Sequence, residues 1–170
     1  MPFTPFHFGP AALLKALMPS RFSFFVFCYA QVIMDLQVAY HIIFHKFPLH
    51  GWTHTYLGAL LIGSFCGITA IPLHSLANRY SEKSFFRPLM LRGLSMRISF
   101  LSALIGTLSH IALDSIMHGD MTPWSPFSEE NKILRVVSLP YLHLFCVITG
   151  VIGVILCVKR SLKVDTKSHL

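Results

Sequence analysis

Charged residues are scarce in this sequence, and acidic residues are the scarcest of them. Only 12% of the 170 residues are charged, 7 acids stand against 14 lysines and arginines, and 54% of the residues are hydrophobic. The mean hydropathy is +0.61. Because soluble domains carry about 25% charged residues, this chain has too little polar surface to cover an ordinary soluble fold. The composition therefore indicates a membrane protein.

Cysteine motifs are also missing, since no two cysteines form a Cys-x-x-Cys pair. We interpret the cysteines as buried thiols within apolar segments, rather than as zinc ligands or disulfides. They are Cys28, Cys66, Cys146 and Cys157. No internal repeat, low-complexity run or domain boundary divides the chain, which predicts a single membrane-embedded domain over residues 1–170. No basic patch is interleaved with aromatic residues, so a nucleic-acid partner is not expected.

Long apolar runs, by contrast, are abundant. Four of them are close to the roughly 20 residues that cross a bilayer as a helix. They cover residues 22–44, 55–76, 98–117 and 139–158. A shorter helix is predicted from about Pro10 and ends at Pro19, because proline suits the first turn of a helix and cannot continue one. We therefore predict an all-α, polytopic membrane helix bundle with four transmembrane helices plus a short N-terminal half-helix.

Basic residues are concentrated on one side of the predicted spans. All but three of the 14 lysines and arginines fall in residues 77–97, in the tail after residue 158, or at Lys15 and Arg21. The positive-inside rule then puts loop 77–97 and the C-terminus in the cytoplasm. The net charge of +7 is explained by this topology and by contact with anionic membrane lipid.

Two of the acidic residues, Asp35 and Asp114, lie inside the predicted spans. Ionisable groups at such depth are costly, and by default they mark a functional site in which a partner faces them. His110 precedes Asp114 by four residues, so both side chains share one face of a helix. At 1.5 Å per residue, Asp35 lies roughly 20 Å and His110 roughly 18 Å from the cytoplasmic end. These groups are therefore expected at similar depths.

Histidines from other parts of the chain reach the same depth. His54 begins the second span from the far side, and His50 lies just before it. A chain reversal near Pro19 returns His7 to the level of Asp35. We therefore predict a divalent metal site near the extracytoplasmic face, with zinc as the preferred metal and one or two ions. The predicted ligands are His7, Asp35, His54, His110 and Asp114, and His50 and His118 are further candidates.

Several of these residues also have simpler interpretations. His118 precedes Gly119, a natural helix stop, and the helix dipole favours a histidine in the last turn. Asp35 and Asp114 could be ion-paired structural acids. Near the outer ends of the spans, the histidines interpreted as interfacial residues are His41, His45 and His143.

Four short stretches of the sequence resemble a known family. They are PFHFGPAALL, VIMDLQ, HGWTHT and GTLSHIALDSIMHGDMTPWSPF, and together they span roughly residues 5–127. Their order is similar to that in the LexA-regulated, inner-membrane predicted metal-dependent hydrolases. The resemblance implies a bacterial inner-membrane location and a metal-dependent hydrolase activity. It also implies that the metal-binding positions are His7, Asp35, His54, His110 and Asp114.

The His-x-x-x-Asp element is also similar to one in the zinc phospholipase C and single-strand nuclease group, where its carboxylate bridges metal ions. This similarity implies a bridging role for Asp114. The inner-membrane family carries a His-Arg-Gly-x-Thr-His motif. Aligned on Gly51, its first histidine falls on Leu49 and its arginine on His50. His50 is therefore either a substitute ligand from the next position or not a ligand.

The leading hypothesis is a membrane-bound metal-dependent hydrolase that acts on a phosphoester or lipid-linked substrate at the outer leaflet. Zinc would lower the pKa of a bound water towards ~7 and polarise the scissile group. Asp114 would bridge or orient the water, and His50, if it binds no metal, would supply a proton to the leaving group. The alternatives are a metal or proton transporter and a non-catalytic membrane protein with a structural metal. A transporter should carry ionisable residues through to the cytoplasmic side, where His74 is the main one in spans two to four.

Overall fold

The computed structural model describes residues 4–80 and 93–168, and these residues form an all-helical bundle. The helices are α1 (Thr4–Leu17), α2 (Phe24–Ile43), α3 (Tyr56–Tyr80), α4 (Met96–Met117) and α5 (Leu139–Ser168). A short 3-10 turn, Trp52–His54, precedes α3. The predicted fold class is therefore confirmed.

Four of these helices are long and apolar enough to cross a membrane, as the sequence predicts. The candidate spans are Phe24–Ile43, Tyr56–Asn78, Met96–Met117 and Leu139–Arg160. At most 44% of each span's most apolar window is buried inside the bundle, so most of its residues face outwards. Large apolar side chains such as Leu61 and Val151 are more than half exposed, and hydrocarbon is the solvent that suits them. Of the basic residues used to orient the chain, Lys83, Arg87 and Arg92 lie outside the described residues.

The short N-terminal helix begins earlier than predicted. α1 starts at Thr4 rather than near Pro10, and Pro10 lies inside it. Proline costs the helix one backbone hydrogen bond, but packing of α1 along α5 stabilises the turn before Pro10. The predicted end is confirmed, since α1 stops at Leu17, two residues before Pro19. The earlier start is what carries His7 on a regular helix.

Glycines allow α1 to lie directly against α5. A Cβ atom at Gly9 would overlap the carbonyl oxygen of Cys146, and one at Gly153 would overlap the backbone of Ala12. Gly150 faces Gly9, whose Cα would be 3.1 Å from an added Cβ. Close backbone approach at small residues is the usual way in which membrane helices associate, because lipid removes the hydrophobic driving force between them. This contact holds the N-terminal segment against the bundle.

α4 lies between α2 and α3 and forms the centre of the bundle. Small polar side chains on α4 are fully buried, and they bond to the neighbouring helices. Ser99 Oγ donates to the carbonyl oxygen of Gly67 at 2.6 Å, and Ser102 Oγ accepts from the backbone N–H of Ser23 at 2.8 Å. As a result, α2, α3 and α4 are held in one register, and the end of α2, the start of α3 and the end of α4 meet at the same end of the bundle.

Candidate metal centre

Two histidines and two aspartates gather where these three helices meet. One ligand atom from each lies within 4.8 Å of all the others, and the four residues are Asp35, His54, His110 and Asp114. His110 Nε2 lies 3.1 Å from Asp114 Oδ2 and 3.4 Å from Asp35 Oδ1. His54 Nε2 lies 3.2 Å from His110 Nε2 and 3.8 Å from Asp35 Oδ1. The predicted meeting of these residues therefore occurs, and the group could hold a metal ion.

The access of water to this group is uneven. The side chains of His54, His110 and Asp114 are at most 1% exposed, whereas that of Asp35 is 17% exposed. Burying carboxylates is costly unless cations or strong donors face them. A divalent cation would satisfy both carboxylates, and the partly exposed Asp35 marks the side from which a ligand can arrive.

His7 joins this cluster from α1, as the predicted chain reversal requires. Its Nε2 lies 3.2 Å from Asp114 Oδ1, and its residue is only 3% exposed. Its ring stands edge-on to that of His110, with ring centroids 4.8 Å apart. His7 therefore contacts Asp114 through Oδ1, whereas His110 contacts it through Oδ2.

Gln31 orients the rings of His7 and His110. It was not among the site residues predicted from the sequence. Its Nε2 donates to the carbonyl oxygen of Gly106 at 3.0 Å, which turns its Oε1 towards the histidines. That oxygen makes a short hydrogen bond with Nδ1 of His110 and lies 3.2 Å from Nδ1 of His7. An imidazole whose Nδ1–H is held in this way presents the Nε2 lone pair to a metal. Gln31 lies one helical turn before Asp35, so its position on the same face of α2 was a usable signal.

His54 is oriented by a chain of hydrogen bonds from Gln37 through Thr53. The Thr53 hydroxyl donates to Gln37 Oε1, so its oxygen is left to accept from His54 Nδ1, 3.0 Å away. Gln37 Oε1 also accepts the backbone N–H of Thr53 at 3.1 Å. Burial lowers the pKa of His54, and the nearby carboxylate of Asp35, 3.8 Å from its Nε2, opposes the shift. A lowered pKa favours the neutral ring, which is the form that binds metals.

A second group shares Asp114 with the first. Ligand atoms of His50, His118 and Asp114 also lie within 4.8 Å of one another. The rings of His50 and His118 are tilted with centroids 4.3 Å apart. His118 is the C-cap of α4, and burial lowers the pKa of its ring. The two further candidates therefore lie beside the cluster, and both face Asp114.

Asp120 holds His50 in place. It too was absent from the site residues predicted from the sequence. Asp120 Oδ1 accepts from His50 Nδ1 at 2.9 Å, and Oδ2 accepts the backbone N–H groups of Leu49 and His50 at 3.0 and 3.2 Å. Burial raises the pKa of Asp120, but the hydrogen bonds from His50 outweigh it and bring the pKa below its usual value. The pairing joins loops that are 70 residues apart in the chain, so no local sequence pattern predicts it.

The other histidines among residues 4–80 and 93–168 lie away from these groups. His41 Nδ1 bonds the carbonyl oxygen of Pro48 at 2.7 Å, and His45 is an exposed residue with positive φ. His143 stacks on Phe6 with ring centroids 4.6 Å apart, and His74 packs against Phe25. The cysteines are free thiols, as predicted.

A surface pocket of about 540 Å³ adjoins the second group. It is lined by Asp120 and by apolar side chains that include Phe47, Met121 and Leu134. Phe47 is largely exposed, and so is Phe127 farther along the loop that follows α4. The pocket gives a route from the surface to the carboxylate that holds His50.

Comparison with known proteins gives no match to a family model, to a curated protein or to a solved structure. The geometry of the candidate metal centre is therefore the main basis for proposing a function.

Proposed function

We propose that this protein is a membrane-embedded, metal-dependent hydrolase with Zn²⁺ as its metal. The observation that carries the proposal is the group of Asp35, His54, His110 and Asp114 ligand atoms within 4.8 Å of one another. Imidazole nitrogens and carboxylate oxygens are the donors that zinc uses in hydrolytic sites. His7, which contacts Asp114, is the fifth proposed ligand.

The orientation of the rings supports a site built for a metal rather than a set of structural ion pairs. The chain engages Nδ1 of His110 through Gln31 and Nδ1 of His54 through Thr53. Both Nε2 atoms then point at the carboxylates. Such outer contacts fix the tautomer and raise the basicity of a metal-binding histidine.

The proposed chemistry depends on the partly exposed side of the site. When bound, Zn²⁺ supplies Lewis acidity and an activated water near neutral pH. Asp35, with its side chain 17% exposed, faces the side open to substrate, and Asp114 orients the reacting groups from within the site. His50 donates its Nδ1–H to Asp120 and its ring lies 4.9 Å from that of His54, so its Nε2 is the atom that can act on the site.

We propose a phosphoester or lipid-linked substrate. Exposed Phe47, Trp124 and Phe127 surround the same end of the bundle and suit the boundary between headgroups and acyl chains. The charge distribution of the sequence supports a bacterial inner-membrane location with the C-terminus in the cytoplasm and the site towards the outside. The resemblance of residues 5–127 to the LexA-regulated inner-membrane hydrolases agrees with this proposal.

The test is elemental analysis and phosphoesterase assay of the full chain purified in detergent. We expect at least one Zn²⁺ per chain in the wild type, and loss of metal and activity in Asp114→Asn and His110→Ala. His45→Asn is the matched control, because His45 is exposed and asparagine tolerates its positive φ. Wild-type protein without stoichiometric metal, or variants that keep it, would overturn the proposal. Metal bound without hydrolysis, together with metal uptake into reconstituted vesicles, would favour transport instead.

A further inference from the structure

We propose a second metal site, formed by His50, His118 and Asp114, in which Asp114 bridges the two ions. The proposal deepens the proposed function and rests on it, because Asp114 is shared with the first site. Asp120 is a positioning residue for the second site, since it acts through His50.

Two buried nitrogen atoms in this second group have no hydrogen-bond partner. His50 is 3% exposed, and its Nε2 has no hydrogen-bond partner. Nε2 of His118 is buried and equally without a hydrogen-bond partner. Leaving a buried polar atom without a hydrogen bond costs about 1–3 kcal/mol of folding free energy. Two such atoms beside a carboxylate therefore indicate a site for a ligand. A cation that accepts nitrogen and oxygen donors satisfies all three groups at once.

Asp120 holds His50 in a defined orientation. Its Oδ1 accepts the Nδ1–H of His50 at 2.9 Å, while its Oδ2 accepts two backbone N–H groups from the same loop. Both carboxylate oxygens therefore accept from the 49–50 segment, and Nε2 of His50 points away from Asp120. A carboxylate–histidine pair of this kind leaves Nε2 free to bind a metal, and it strengthens the bond.

Asp114 belongs to both groups. Its Oδ2 lies 3.1 Å from His110 Nε2, and His7 Nε2 lies 3.2 Å from its Oδ1. One Asp114 oxygen also lies within 4.8 Å of the ligand atoms of His50 and His118. A carboxylate shared by two sets of ligands suits a two-metal site, in which the ions lie about 3.5–4 Å apart.

The experiment counts metal ions per chain and asks whether they are neighbours. The full chain in detergent is loaded with Zn²⁺ for elemental analysis and with Mn²⁺ for electron paramagnetic resonance. We expect two ions per wild-type chain and a spin-coupled Mn²⁺ pair. His118→Ala and, as a smaller change, His118→Gln should retain one ion and show only the isolated Mn²⁺ signal.

Variants of Asp120 separate positioning from folding. Asp120→Ala should weaken the second ion about 10–100-fold, the usual cost of losing an outer partner of a metal ligand, and leave the first ion bound. Asp120→Glu keeps a carboxylate that can accept from His50 and from the backbone, and it should retain more of the second ion's affinity than Asp120→Ala. The matched control is Glu130→Gln, an exposed carboxylate on the same loop that pairs with Lys132 at 3.6 Å, which should change neither ion.

The metal count distinguishes failure of the second site from failure of the proposed function. One ion per wild-type chain, unchanged by substitution of His118 or Asp120 and without spin coupling, would overturn the second site and leave the proposed function standing. No ion in the wild type would overturn both. Two coupled ions that lose coupling in the His118 variants would establish the bridge.

Discussion

At the residue scale, a neutral side chain is as important to the site as its charged ones. Gln31 is fully buried and connects His7, His110 and the Gly106 carbonyl. Its amide has a carbonyl end and an NH₂ end, and the Gly106 carbonyl accepts only from the latter. Consequently the carbonyl end must face the two Nδ1 atoms, and both rings turn Nε2 towards Asp114.

We predict that Gln31→Leu weakens metal binding about 10–100-fold, because both rings lose the acceptor that fixes their tautomer. The measurement is a competition titration with a chromophoric zinc chelator. Tyr29→Phe is the control, since it removes a hydrogen bond from α2 to Thr69 without a described contact to the site. Equal metal affinity in wild type and Gln31→Leu would contradict this role.

At the scale of elements, the contact between α1 and α5 determines whether His7 reaches the site. Gly9 and Gly153 bring the two backbones together, and His7 lies on α1 two residues before Gly9. α5 contributes none of the proposed ligands. Because α5 packs against α1, we expect α5 to affect metal binding only through the position of α1.

We predict that Gly153→Val pushes α1 away from α5 and lowers metal affinity by withdrawing His7 from Asp114. Overpacking of this kind costs about 1–3 kcal/mol, which a detergent unfolding titration measures. Gly93→Val is the matched control, because a Cβ at Gly93 meets nothing within 4 Å. A Gly153→Val protein with unchanged stability but weakened metal binding would show that the packing argument is wrong.

At the scale of the whole molecule, the candidate metal ligands are gathered near one end of the bundle. Asp35, His54, His110 and Asp114 lie where α2 ends, α3 begins and α4 ends. The basic residues are concentrated in the sequence segments next to the opposite ends of these helices. A site near one end of the bundle suits a ligand that arrives from that side, and the positive-inside rule predicts that the basic end lies in the cytoplasm.

We predict that a cysteine at Ser128, in the loop after α4, reacts with a membrane-impermeant maleimide in intact cells, whereas one at Arg160 reacts only after lysis. The wild-type chain is the internal control, because Cys66, Cys146 and Cys157 are buried and Cys28 is partly buried. Labelling of Arg160→Cys but not Ser128→Cys in intact cells would reverse the orientation.

Most of the fold was predictable from local sequence. Hydrophobic length alone places four spans close to where the helices lie, because each must cover a fixed thickness of hydrocarbon. The start of α1 was not predictable from Pro10, since its stability comes from the distant glycines of α5. Packing between segments outweighed the local preference of proline.

The sequence by itself determined that acids and histidines lie at one depth, because helical rise converts residue number into height. His7, Asp35, His54, His110 and Asp114 were all identified in this way. Only the tertiary structure decided which atoms face one another, and it alone brought in Gln31, Thr53 and Asp120. The physical reason is that rotation of each helix and the course of each loop depend on contacts between residues far apart in the chain, such as the bond from His50 to Asp120.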